Sequence, residues 1–181
     1  MQGKDELRIL ILEDSAGDVL LVEEALAAHG LSAQLQHCED GETALAELGR
    51  LTETSLPDLI IVDLNLPRVD GMQLLRHLRS LSLFDKTPVM IFTSSQSVDD
   101  RKKAEQLGAN AYFTKPTGLD DFLSTVADAV RRLTGASPFV RKRPKSGLYT
   151  CASHSTRDRR CSLSRRSVMR PLAGQTFRSV R

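Results

Sequence analysis

Leu59-Ile60-Ile61-Val62-Asp63-Leu64-Asn65-Leu66-Pro67 opens with four apolar residues and then meets an acid. Four apolar side chains without polar alternation describe a strand covered on both faces, because a strand with one wet face alternates. Similar apolar runs recur on either side. Leu7-Arg8-Ile9-Leu10-Ile11-Leu12 runs into Glu13-Asp14, and residues 33–38 make a weaker strand. Pro88 to Phe92 runs into Thr93-Ser94-Ser95, and Ala109 to Thr114 runs into Lys115-Pro116. Between these runs, apolar residues fall at helical spacing. Residues 17–29 do so through Val19, Leu20, Val22, Leu26 and Ala27, with Gly30 as the stop; residues 41–51 do so through Ala44, Leu45 and Leu48. Asp70-Gly71 opens a third helix with Met72, Leu74, Leu75 and Leu78. A charged helix spans Asp99 to Leu107, and residues 119–133 make the last through Phe122, Leu123, Val126, Val130 and Leu133. Strand and helix alternate five times. Right-handed crossovers turn that alternation into an α/β fold, a doubly wound five-stranded parallel sheet.

The chemistry of such a sheet lies outside the carboxyl ends of its strands, where the winding direction switches. Those ends carry Glu13 and Asp14, Asp63, Thr93 and Lys115. Three carboxylates in one crevice repel each other, and a hard divalent cation relieves the repulsion; Mg2+ suits a few carboxylates together with water and phosphate oxygens. A cation, a lysine and a hydroxyl around one further carboxylate form an arrangement for phosphoryl transfer, with that carboxylate as the in-line nucleophile. Asp63, at the end of the central strand, is the candidate. Taken singly, each residue has a plain alternative: Asp14 or Asp18 as a helix cap, Thr93 as a β-branched strand residue, Lys115 as a solvated loop charge. Their joint occurrence at the strand ends favours a site.

Composition sets the frame. Of 181 residues, 40% are apolar, enough for one buried core, and no run reaches the ~18 apolar residues of a membrane span. The start, Met1-Gln2-Gly3-Lys4-Asp5-Glu6, has no apolar signal region, and three cysteines without a CxxC pair suit a reducing compartment, so a cytoplasmic location is expected. The net charge of +2 hides a division. Residues 139–181 hold 12 lysines or arginines against the single acid Asp158, leaving residues 1–138 acidic by nine charges. The turn-rich Gly135-Ala136-Ser137-Pro138 marks the boundary, dividing a domain at 1–136 from a basic tail at 137–181. The tail has too little periodic apolar surface to offset the cost of ordering, and disorder is expected there. A solvated extension is the plain expectation for it. Contact with nucleic acid or acidic lipid, and folding back onto the acidic domain, are the alternatives.

The acid pair Glu13-Asp14, Asp63-Leu64-Asn65-Leu66-Pro67 with Asp70-Gly71, Thr93-Ser94 and Lys115-Pro116 resemble, in order and spacing, the receiver domains of two-component response regulators over about residues 6–134. The resemblance implies a CheY-like, flavodoxin-like sheet of order 2-1-3-4-5 that works as a phosphorylation switch in a phosphorelay and not as an enzyme with a substrate of its own. It implies that Asp63 accepts phosphate from a sensor histidine kinase as an aspartyl phosphate. Asp14 and, through water, Glu13 then hold Mg2+ together with Asp63 and the carbonyl of Asn65. Lys115 pairs with the phosphate from a cis Lys115-Pro116 bond, Thr93 moves toward the phosphoryl group, and Tyr112 turns inward with it. Output then passes through residues 99–133, by docking a partner or relaying phosphate, with no nucleic-acid contact expected of the domain. Glu13-Asp14-Ser15-Ala16-Gly17-Asp18 and Glu24-Ala25-Leu26 further resemble single-domain regulators paired with bacterial phytochromes, which are often dimers through that face. Two other doubly wound classes fit poorly. A haloacid-dehalogenase phosphatase places its nucleophile after the first strand with a second aspartate two residues on, whereas Asp63 follows the third strand and Asn65 stands at the later position. A flavin-binding flavodoxin needs a phosphate-cradling loop where Asp14-Ser15-Ala16-Gly17-Asp18 is acidic.

Overall fold

The computed structural model describes residues 6–136 and 149–151. Strands β1 (Leu7–Leu12), β2 (Ala33–Cys38), β3 (Leu59–Val62), β4 (Val89–Thr93) and β5 (Ala111–Thr114) alternate with helices α1 (Ala16–Ala28), α2 (Gly41–Leu48), α3 (Gly71–Ser80), α4 (Val98–Gln106) and α5 (Leu119–Thr134). All strands pair in parallel, and the five have the expected order 2-1-3-4-5. A short strand β6 (Tyr149–Cys151) extends the sheet by pairing in parallel with β2, Gln36 opposite Tyr149. The disorder expected of the tail falls, apart from these three residues, outside the described residues. No helix of the described residues is long and apolar enough to cross a membrane.

Both faces of the sheet are covered, as the unalternating strands require. Ile9, Ile11, Leu35, Ile61, Met90 and Phe92 share a core with α1 and α5, where Phe92 meets Phe122 edge-on at 5.0 Å between ring centres. Leu10, Leu12, Ile60, Val62, Val89 and Ile91 share the opposite core with α2 and α3.

Helix starts follow local capping chemistry. Asp40, Asp70 and Ser97 accept from the backbone N–H of Thr43, Gln73 and Asp100, at 2.9, 2.9 and 3.2 Å. The cap of α1 is Ser15, whose hydroxyl accepts from Asp18 N at 3.2 Å, and not Asp14 or Asp18. That leaves both acids free to face the strand ends. The Lys115–Pro116 bond is trans, contrary to the cis form expected; no peptide bond among the described residues is cis. β5 begins at Ala111 and not at Ala109, because Ala109 N still closes the end of α4 on Ala104 O at 3.0 Å.

Arg79 ties the edge opposite the site. Its guanidinium donates to Gly108 O and Phe84 O at 2.9 Å, to Thr87 O at 3.2 Å and to Asn110 Oδ1 at 2.7 Å. One charged group thus satisfies the turns before β4 and before β5. Arg79→Ala is expected to lower stability by about 2 kcal/mol, since a charge-assisted bond is worth about 1.5–3 kcal/mol and these are not additive. A urea-unfolding midpoint unchanged from wild type would refute that role.

Candidate functional site

The carboxyl ends of β1, β3, β4 and β5 bring the expected residues together. Glu13 and Asp63 are buried, Asp14 is exposed, and one carboxylate oxygen from each lies within 4.8 Å of the others. Lys115 Nζ stands 2.7 Å from Glu13 Oε2, from Asp63 Oδ2 and from Asp18 Oδ2. Asp18 was not among the residues expected here as a partner of the lysine. It sits on the first turn of α1, three residues beyond the Ser15 cap, and nothing in the sequence spacing singles it out as a partner of the lysine.

These neighbours set the charges. Burial pushes the Glu13 carboxyl up to about 7, against the pull of the Lys115 ammonium and with a further push from the Asp63 charge. Burial also opposes ionisation of Asp63, but the hydrogen bonds from Lys115 and from the Asn65 backbone N–H, at 2.7 and 3.0 Å, outweigh it and hold this carboxyl below the usual range. Burial disfavours the Lys115 ammonium, yet its bonds to Asp18, Asp63 and Glu13 prevail and hold it firmly protonated. Asp63 is therefore the ionised, partnered carboxylate of the group, whereas Glu13 shares its charge with a proton near neutrality.

Thr93 is fully buried at the end of β4, and its hydroxyl accepts from Ser95 N at 3.3 Å and from Asn65 Nδ2 at 3.5 Å. Asn65 Nδ2 also reaches Ser94 Oγ at 3.3 Å, so the β3–α3 and β4–α4 loops meet over the acids. Tyr112 is buried, its hydroxyl donating to Ser95 O at 3.2 Å. Arg101 of α4 lies over the Tyr112 ring at 4.6 Å and donates to the Tyr112 carbonyl at 3.2 Å, a contact with no counterpart among the sequence expectations. Ser95, carrying the carbonyl that Tyr112 uses, also donates to Asp100 Oδ2 at 2.7 Å. Thr93, Ser95 and Tyr112 are thus joined by a short chain of bonds running from the acids to α4.

The donor set suits a hard divalent cation. Glu13, Asp14 and Asp63 offer only carboxylate oxygens, and these converge to within 4.8 Å of one another, as a hard divalent cation requires.

Comparison with known proteins gives this arrangement its class. The family model described as response regulator receiver domain matches residues 9–127. The chain is 35% identical over 121 residues to response regulator Rcp1 of Synechocystis, covering 65% of this chain and 82% of Rcp1. It is 32% identical over 131 residues to the probable methanogenesis regulatory protein FilR2 of Methanothrix harundinacea, covering 71% and 84%. Other relatives are longer: the match to the transcriptional regulatory protein TrcR of Mycobacterium tuberculosis, at 32% identity, spans 46% of that protein. Among solved structures, the phosphorylated cyanobacterial phytochrome response regulator RcpA superposes with a TM-score of 0.66 at 32% identity, covering 73% of this chain and 97% of RcpA. The Mn2+-bound form of Rcp1 gives 0.65 at 32%, covering 72% and 97%.

The fold and the acid-lined rim are those of a two-component signalling domain. The chain belongs to the response regulator receiver domain family.

Proposed function

We propose that this chain is a switch set by phosphorylation of Asp63, and that Mg2+ bound at Glu13, Asp14, Asp63 and the Asn65 carbonyl is needed to set it. The observation that carries this is the ionised Asp63 carboxylate with Lys115 Nζ 2.7 Å from Oδ2, beside two further acids. An Asp63 oxygen attacks the phosphorus of a phosphohistidine on a sensor kinase; the P–O bond forms as the P–N bond breaks, and the imidazole leaves. Lys115 supplies positive charge toward the transferred oxygens, and the cation, when bound, offsets the remainder. Asp14, exposed and outside the Lys115 contacts, is the acid best placed to take the cation first.

The new phosphoryl charge draws the Thr93 hydroxyl, which weakens its bond from Ser95 N and so shifts the Ser95 carbonyl that holds Tyr112. The output surface is then residues 99–133, through which the chain docks a partner, relays phosphate or pairs with a second copy. The likeness to Rcp1 and RcpA supports a phytochrome-type kinase as the partner and a cytoplasmic setting. Sedimentation with and without beryllofluoride tests the pairing, which is wrong if the sedimentation coefficient does not change.

Intact-mass measurement after incubation with acetyl phosphate and Mg2+ tests the central step. One added phosphoryl group, about 80 Da, is expected with Mg2+ and none with a chelator. Beryllofluoride covers the case of a short-lived adduct. Failure to bind it in Mg2+ as well would show a module that works without phosphate.

A further inference from the structure

His37 is a buried polar residue that the phosphorylation mechanism leaves unused. It lies on β2, opposite Ile11 of β1. The β1–β2 ladder ends where Glu13 N donates to Cys38 O at 3.0 Å. Beyond Cys38 the chain turns away into the Asp40-capped start of α2, so β2 runs out while the acid pair still needs support. The bond that reaches the Glu13 carbonyl comes from a side chain: His37 Nε2 lies 2.6 Å from Glu13 O. A carbonyl oxygen only accepts, so the hydrogen resides on Nε2 and the imidazole is the donor.

The Glu13 carbonyl belongs to the peptide that joins Glu13 to Asp14. Rotating that peptide swings both carboxylates relative to Asp63. We propose that His37 is a positioning residue for the cation site, holding the Glu13–Asp14 peptide in the orientation that converges the two carboxylates on Asp63. The inference rests on the assignment of that acid cluster as a divalent-cation site. An outer hydrogen bond of this kind orients metal ligands, and its loss lowers metal affinity by about 10–100-fold. Because His37 approaches from β2, on the side of the acid pair away from Lys115, it fixes direction without competing for the carboxylate oxygens.

The test uses the full chain, with His37→Leu, which keeps apolar bulk and loses the donor, and His37→Gln, which retains an N–H of similar reach. Mn2+ and Mg2+ affinities are measured by titration calorimetry, and stability by urea unfolding without metal. His37→Leu is expected to fold cooperatively and bind Mn2+ about tenfold more weakly, whereas His37→Gln recovers most of the affinity. Equal affinity in His37→Leu and wild type would overturn the proposal, as would an equal loss in both variants, which would mark the ring as packing alone. The wild type gives an independent reading should His37→Leu not fold. Its imidazole Nε2–H proton resonance is expected to shift as Mn2+-free protein is titrated with Mg2+, and no shift at saturation overturns the role. Wild type that binds neither cation overturns the cation site itself, an outcome distinct from any seen only in the variants.

Discussion

Asp63→Asn is expected to take up no phosphoryl group under conditions that load the wild type, while keeping its fold. The side chains are nearly isosteric, and the Asn65 N–H that bonds Asp63 Oδ1 at 3.0 Å finds an amide oxygen in the same place. What is lost is the nucleophile. Glu13 and Asp14 bring a carboxylate oxygen within 4.8 Å of one on Asp63, yet neither substitutes for it. Burial raises the Glu13 carboxyl to about 7 when no cation is bound, and its two oxygens are tied by Ser15 N at 3.2 Å and by Lys115 at 2.7 Å. Asp14 is exposed, and none of the bonds that fix Asp63 reaches it. Only Asp63 combines an ionised carboxylate with the ammonium at 2.7 Å and a backbone clamp on its second oxygen. Intact mass after acetyl phosphate treatment, with circular dichroism to show retained structure, checks the prediction. A gain that persists in the folded variant would move the acceptor to Glu13 or Asp14 and rewrite the order of roles at the rim.

The sheet was legible because its evidence is local in sequence. Leu59 to Val62 and Leu7 to Leu12 can hardly be anything but strands covered on both sides, and a parallel sheet then forces their last residues onto one edge. Glu13, Asp14, Asp63, Thr93 and Lys115 follow from that geometry alone. The parts that could not be read depend on contacts between distant segments or on closely matched local choices. Three residues within five, Asp14, Ser15 and Asp18, are all competent helix caps, and only the position of the first turn selects Ser15. Asp18 reaches Lys115 across 97 positions of sequence because α1 packs against α5, and Lys115 lies in the loop that leads into α5. His37 looks like one more residue of a weak strand until β2 stops short of the acid pair. Arg101 looks like one charge among many on α4 until its guanidinium is found over Tyr112.

Gly71→Ala should show how tightly the helix behind the site is fitted to the acceptor. A methyl at this position would stand 2.2 Å from Asp63 O, 2.7 Å from Leu64 Cα and 2.9 Å from Asp63 C. All three are backbone atoms, so no side chain can swing away to make room. Gly71 N also donates to Leu64 O at 3.0 Å, and Asp70 caps α3 on the preceding residue. The first turn of α3 is therefore seated on the very peptide that carries Asp63, and it moves off only by breaking that bond or by pushing the acceptor. Overpacking of this kind costs about 3 kcal/mol or more. Helix propensity alone would make Gly→Ala favourable by up to about 1 kcal/mol in a helix, so the two effects differ in sign. Gly17, in the first turn of α1, supplies the control: a methyl there meets only Ser15 Oγ at 3.7 Å, an ordinary contact. Gly17→Ala should leave stability equal or slightly raised, by about 0.5 kcal/mol, while Gly71→Ala loses several times that. Urea unfolding of both variants decides the matter, and acetyl phosphate labelling of Gly71→Ala under folding conditions adds the functional half. If that variant is as stable as wild type and labels as fast, α3 slides freely over the Asp63–Leu64 peptide. If it folds but labels slowly, the same glycine that lets the helix approach also sets the position of the acceptor.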